Sequence, residues 1–100
     1  MLKHVVMWRL KDMAEGKNKQ ENSEIMKEML LSLENEIPEI KYIEVGLNIN
    51  PTDAAYDIVL ITHFNNEEDL KIYANHPEHL KVGEFIGKIR SERVVVDYIE

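Results

Sequence analysis

The chain predicts an α+β fold: a four-stranded antiparallel sheet with helices on one face, in the order βαββαβ. Three observations carry that prediction. Apolar runs with two-residue alternation stand at both ends and in the middle. Stretches of three- and four-residue periodicity separate them, and proline or turn-forming residues punctuate the joints. With 44% apolar and 31% charged side chains and only 4 Gly and 3 Pro in 100 residues, the composition is that of one ordered globular domain over 1–100. A chain of that size buries about 60–65% of its unfolded surface.

The first strand is "LKHVVMWRL" (Leu2–Leu10). His4, Val6, Trp8 and Leu10 fall on one side, Val5 and Met7 on the other, with Lys3 and Arg9 towards the ends. Asn18 with Glu21 then forms a helix-capping pair, and Ile25, Met26, Met29, Leu30, Leu33 and Ile37 recur along one helical stripe. Pro38 ends the helix, because the residue before a proline is pushed out of the helical region. "KYIEVGLNI" alternates as a second strand, with Ile43, Val45, Leu47 and Ile49 inward. "NPTDAA" supplies a reversal, and "YDIVLITHF" is the third strand, with Tyr56, Ile58, Leu60, Thr62 and Phe64 on one face against Val59 and Ile61.

Asn66, three residues before Asp69, caps a short helix reaching about Tyr73, which the His76-Pro77 pair breaks. Pro77 suits the first turn of a new helix, whose apolar stripe is Leu80, Phe85, Ile86 and Ile89. Gly83 and Gly87 leave a groove for close backbone approach. "ERVVVDYI" closes the sheet as the fourth strand.

The end strands are apolar on both faces, with Val94 and Val96 opposite Val95 and Ile99. Helices on one side leave the other bare, and soluble monomers seldom expose so large an apolar patch. A second copy of the chain packing on that sheet face is therefore expected.

Nineteen acidic against twelve basic residues give a formal charge of −7. Such a surface repels a phosphate backbone and an anionic membrane, and no basic patch offsets it, since Lys11, Lys17 and Lys19 are interleaved with acids and amides. Neither nucleic acid nor a membrane is an expected partner. With no cysteine, disulfides and thiolate zinc sites are excluded. The first residues lack the apolar core and cleavage site of a secretion signal, and no stretch has bilayer-spanning length, which makes the cytoplasm the expected location.

In "LKHVVMWRLK", "YANHPEHLKV" and "VVVDYI", in that order, the chain resembles the stress-responsive A/B barrel (Dabb) family of dimeric α+β barrel proteins. The resemblance covers nearly all of the chain. It implies a ferredoxin-like protomer whose sheet faces its twin's across a dimer axis. Most of that family has no settled activity. One branch, a plant polyketide cyclase, uses a tyrosine and the second histidine of its "Y…HP.H" segment, which match Tyr73 and His79. Asp57 stands where that branch carries another histidine, so the polarity of the pocket mouth is expected to differ.

Tyr73 and His79 are the candidate catalytic pair. A neutral imidazole removes an activated proton at neutral pH, and a phenol hydrogen-bonds a carbonyl whose charge is growing, as cofactor-independent aldol-type ring closure requires. The alternative is structural: His76 caps the helix, Pro77 starts it, His79 bonds the loop, and Tyr73 buries its ring with its hydroxyl in water. The first reading of the whole chain is a homodimer without assigned activity that binds a small apolar or aromatic ligand. The expected pocket between helices and sheet is lined by His4, Trp8, Ile25, Met29, Tyr73, Phe85 and Ile89. His4 is either a core histidine on a backbone carbonyl or a group orienting His79. Trp8 and Asn48 offer thin support for a cofactor-free quinol-type monooxygenase. His76 and His79 lack the further ligands of a metal site, His63 reads as an edge residue, and neither a phosphate loop nor a Ser-His-Asp set is present. No cofactor is expected.

Overall fold

The computed structural model describes residues 1–100. In chain order the elements are β1 (Leu2–Leu10), β2 (Met13–Ala14), β3 (Lys17–Asn18), α1 (Lys19–Glu36), β4 (Tyr42–Leu47), β5 (Ile58–Phe64), α2 (Glu67–Asn75), α3 (Pro77–Ile89) and β6 (Arg90–Ile99). The sheet runs β4-β5-β1-β6, and every neighbouring pair is antiparallel. The protein is α+β as its pattern predicts, and no helix is long and apolar enough to cross a membrane.

One element escapes the pattern. β2 and β3 form a miniature hairpin whose two turn residues, Glu15 and Gly16, have φ of 51° and 76°. Two successive left-handed residues match the twist of a tight hairpin, and Gly16 takes that conformation without strain. The hairpin is tied to α1 by Asn22, whose buried amide donates to the carbonyls of Ala14 at 3.0 Å and Lys17 at 3.4 Å. Strands of two residues are too short for alternation to reveal.

The caps form as their spacing predicts. The Asn18 side chain accepts from the Glu21 N–H at 2.8 Å while the Glu21 carboxylate accepts from the Asn18 N–H at 3.1 Å. Asn66 accepts from the Asp69 N–H at 2.8 Å. These bonds satisfy first-turn donors that have no partner inside the helix.

Met26, Leu30 and Leu33 of α1 and Val82, Ile86 and Ile89 of α3 meet Val6, Trp8, Ile58, Leu60 and Phe64 in one core. Three expectations fail here. Leu80 is 56% exposed, and its place in the stripe is taken by Val82. The register Val82–Ile86–Ile89 keeps the four- and three-residue spacing that Leu80–Phe85 does not. Ile49 lies past the end of β4 and is fully in solvent. The close backbone approach expected at the glycines is also absent: a Cβ on Gly83 or Gly87 would touch nothing within 4 Å.

The opposite face of the sheet has no cover. Register places Val5 and Met7 of β1, Val59 and Ile61 of β5 and Val94 and Val96 of β6 there together, rimmed by Lys3, Arg9, Glu44, Glu92 and Tyr98. The molecule is a slab 17 Å in its shortest extent, room for one sheet and one helix layer. The helices also stop short of β6, all ten residues of which are exposed, so Val95 and Ile99 are uncovered even on the helix side.

Two substitutions test this packing by urea unfolding. Phe64→Ala, at a fully buried side chain, is expected to lower stability by about 3–5 kcal/mol. Gly87→Ala is expected to raise it by up to about 1 kcal/mol, because a helical glycine with free space around it loses only entropy. A loss on Gly87→Ala would reveal a close neighbour at that helix face.

Candidate functional site

The His76-Pro77 pair builds the site by breaking a helix. Ahead of proline His76 takes an extended conformation, φ −66° and ψ 136°, and serves as the C-cap of α2 and the N-cap of α3. Its Nδ1 accepts from the Glu78 N–H at 3.1 Å. The chain turns there, so Tyr73 in the last turn of α2 and His79 in the first turn of α3 bring their rings together at 4.4 Å between centroids. Tyr73 also packs on Phe64 at 5.0 Å and His4 at 6.1 Å, completing an aromatic cluster against β1 and β5.

His79 has a defined tautomer. Its Nδ1–H donates to the Ala74 carbonyl at 3.0 Å, which leaves Nε2 with the lone pair. Burial pulls its pKa below the ordinary 6.5; the Ala74 bond works the other way, and His4, Arg93 and His76 add to the lowering. The ring is therefore a neutral base at neutral pH. Tyr73 is 1% exposed, and its hydroxyl has no hydrogen-bond partner. Burial pushes that hydroxyl well above the usual tyrosine pKa, with Arg93 opposing weakly, so it stays a proton donor. The expected water contact of the Tyr73 hydroxyl is absent: the whole side chain is enclosed.

His4 bonds neither of the groups anticipated for it. Its Nδ1 meets Asp97 Oδ1 at 2.5 Å, across the β1–β6 pairing that sets His4 opposite Asp97. A carboxylate on Nδ1 fixes the ring and turns its other nitrogen away from β6.

Tyr73, His79, His4 and Trp8 line one cavity of about 200 Å³, walled by Val6, Leu30, Leu60, Val82, Gly83 and Ile86, with Arg90 and Arg93. The empty space beside Gly83 is part of this cavity wall. Ile25, Met29, Phe85 and Ile89 do not line it. Ile89 is a fully buried core residue, Met29 and Phe85 pack against the core, and Ile25 is half-buried. Trp8 Nε1 shares with the Tyr73 hydroxyl the condition of a buried donor without an acceptor.

Asp57 lies elsewhere: its carboxylate accepts from the Leu10 N–H at 2.7 Å and pairs with Lys19 at 3.4 Å. It fastens the end of β1 to α1 and leaves the mouth of this cavity untouched, contrary to the expectation for that position. A larger, shallower depression of about 440 Å³ is lined by Met7, Gly46, Leu47, Asn48, Tyr56 and Val59 among others. Tyr56 is its only titratable residue, and Tyr73 and His79 are not part of it, so the sequence-predicted pair converges at the smaller cavity alone. Asn48 sits there with its side chain bonded to Asn50, apart from the cavity that Trp8 lines.

The residues missed from sequence are Arg90, Arg93 and the role of Asp97. The signal was the parity of β6: Arg93, Val95 and Asp97 share the face that carries Trp8, Val6 and His4 on β1.

A search of curated proteins finds no match. Solved structures match throughout. A dimeric protein of unknown function with a ferredoxin-like fold from Bacteroides fragilis is 36% identical, with 99% of this chain and 95% of that one covered and a TM-score of 0.89. A dimeric ferredoxin-like protein of unknown function from Thermobifida fusca is 22% identical, covering 99% and 90%, with a TM-score of 0.85. A protein of Arabidopsis thaliana is 23% identical, covering 100% and 95%, with a TM-score of 0.82. The model of the stress responsive A/B barrel domain matches residues 2–100. The ferredoxin-like sheet, the His76-Pro77 break and that match agree, and the chain belongs to the stress-responsive A/B barrel domain family.

Proposed function

We propose that two copies of the chain pack through their bare sheet faces, and that the cavity of each holds a small apolar or aromatic ligand. The assembly is supported by the apolar field of Val5, Met7, Val59, Ile61, Val94 and Val96 and by relatives described as dimeric. The ligand reading is carried by one observation: the Tyr73 hydroxyl is enclosed beside an anchored His79 and has no acceptor of its own. Buried donors are almost always paired, so a ligand oxygen is the fitting complement.

The tautomer of His79 favours a second, catalytic reading. Nε2 takes a proton from a carbon between two carbonyls. The resulting enolate carbon attacks a second carbonyl, whose oxygen is stabilised by the Tyr73 hydroxyl, and the imidazolium returns the proton to that oxygen. This closes a ring in the aldol manner, with no cofactor.

Three measurements test these readings. Sedimentation equilibrium at micromolar concentration is expected to give the mass of two chains, and Val96→Lys to give one. A wild-type monomer would defeat the assembly. Tyr73→Phe is expected to leave stability unchanged or raise it by up to about 1 kcal/mol, since removing an unpaired buried hydroxyl relieves a penalty. A loss above about 1 kcal/mol would show that the hydroxyl serves the fold.

NMR titration of the His79 ring is expected to give a midpoint below 6.5. The unfolded chain then binds a proton on this ring at a higher pH than the folded chain does. Stability from His79 is thus complete above pH 6.5 and falls as pH drops towards the depressed folded value. His79→Gln should flatten that part of the profile, and an unchanged profile would remove His79 as its source.

A further inference from the structure

We propose that the Tyr73–His79 cavity is selective for a small aromatic carboxylate, with Arg93 and Arg90 as the counter-charge at its mouth. This rests on the ligand reading above and names the class of molecule.

The charge inventory is the first observation. Acids outnumber bases nineteen to twelve in the chain, yet no Asp or Glu lines the cavity, and its only permanent charges are Arg90 and Arg93. The third arginine, Arg9, is paired with Glu92 at 3.0 Å and lies over the Tyr56 ring. Neither Arg90 nor Arg93 has an ion pair or a side-chain hydrogen bond. The carboxylate nearest along the same strand face is Asp97, four residues or about 13 Å from Arg93, and it is held by His4. Arg93 also stands close enough for its charge to act on both Tyr73 and His79.

Backbone geometry is the second. In an unbroken strand residues three apart point to opposite faces, which would part Arg90 from Arg93. The β1–β6 register shifts at this spot: Arg9 pairs with Glu92 but Leu10 pairs with Arg90, leaving Ser91 as the extra residue. The Ser91 hydroxyl donates to the Arg9 carbonyl at 3.2 Å across the irregularity. A bulge of this kind re-aims a side chain, and here it sets both arginines on the cavity side.

The third observation lies inside. Trp8 and Tyr73, 4% and 1% exposed, each present a donor without an acceptor. The side chains of the cavity wall thus bring two guanidinium groups and no carboxylate, beside the imidazoles of His4 and His79. A carboxylate is acceptor-only and matches the planar fork of an arginine. A cavity of about 200 Å³, below the size of drug-like pockets, suits a ligand of a single ring.

The single tryptophan makes the test direct, because the ¹⁵N-labelled chain gives one indole N–H resonance from the cavity wall. Benzoate and its neutral isostere benzamide are titrated separately. Benzoate is expected to move that resonance and to bind about tenfold more tightly than benzamide, with the difference shrinking as salt is raised. Arg93→Leu, at an exposed residue whose replacement circular dichroism can check for folding, is expected to bring benzoate down to the benzamide level, and Arg93→Lys to keep part of the preference. If both molecules move the resonance with equal affinity, or benzoate binds unchanged in Arg93→Leu and Arg90→Leu alike, the carboxylate inference is overturned while the cavity stands as a neutral-ligand site. Silence of the indole resonance towards both molecules overturns the ligand reading and this inference together.

Discussion

Everything in this protomer follows from a sheet that is apolar on both faces and roofed by helices on only one. Even-numbered residues of β1 enter the core with those of β5, and odd-numbered Val5 and Met7 face outward beside Val59, Ile61, Val94 and Val96. Only 21 of 100 residues are buried in the single chain, a thin core for its length, so the remaining apolar surface is where further stabilisation is available. The exposure of every residue in β6, a strand bonded along one edge to β1, marks the same deficit. A second copy of the chain would supply the missing cover in the proposed assembly.

The site sits on the other side of that sheet, and its cause is local. Proline at 77 disfavours a helical residue before it, so α2 stops, α3 begins, and two rings six residues apart in sequence meet at a tilt. The same break exposes the Ala74 carbonyl that selects the His79 tautomer. Around this joint the usual rule of buried polar satisfaction is suspended twice, at Trp8 and at Tyr73. Both residues line one cavity, while the other two buried polar atoms without a hydrogen-bond partner, Arg9 Nε and Asn22 Oδ1, lie away from it.

Legibility from sequence divides along the range of the interactions. The strands, α1 with its capping box and the Pro77 break rest on neighbours within four residues, and periodicity and capping chemistry were enough to read them. The β2–β3 hairpin was illegible because each strand has two residues. Leu80 was misread because its stripe competes with Val82, and only the sheet beneath α3 decides between them. Tyr73 and His79 are joined by a short break and so could be paired from sequence, whereas His4 and Asp97 lie 93 residues apart and meet only through strand pairing. Ile25, Met29, Phe85 and Ile89 were placed in the pocket by hydrophobicity alone, which separates core from surface but not one wall of a core from another.

β6 ties the bare sheet face to the cavity, because one strand contributes to both. Its alternate residues serve the two faces: Glu92, Val94, Val96 and Tyr98 look towards the bare side, and Arg93, Val95 and Asp97 towards the helices. A one-residue slip would exchange the sets, placing arginine and aspartate on the apolar face and valines at the cavity mouth. Register is therefore under strong constraint from both sides, and the pairing of His4 with Asp97 at one end and Arg9 with Glu92 at the other holds it. Beyond Glu92 the bulge at Ser91 releases that parity for one residue, and the residue so released is Arg90. The irregularity thus gives the first residue of β6 the same side of the sheet as Arg93, so the strand carries both of its arginines towards the helices and keeps its valines at 94 and 96 on the bare face.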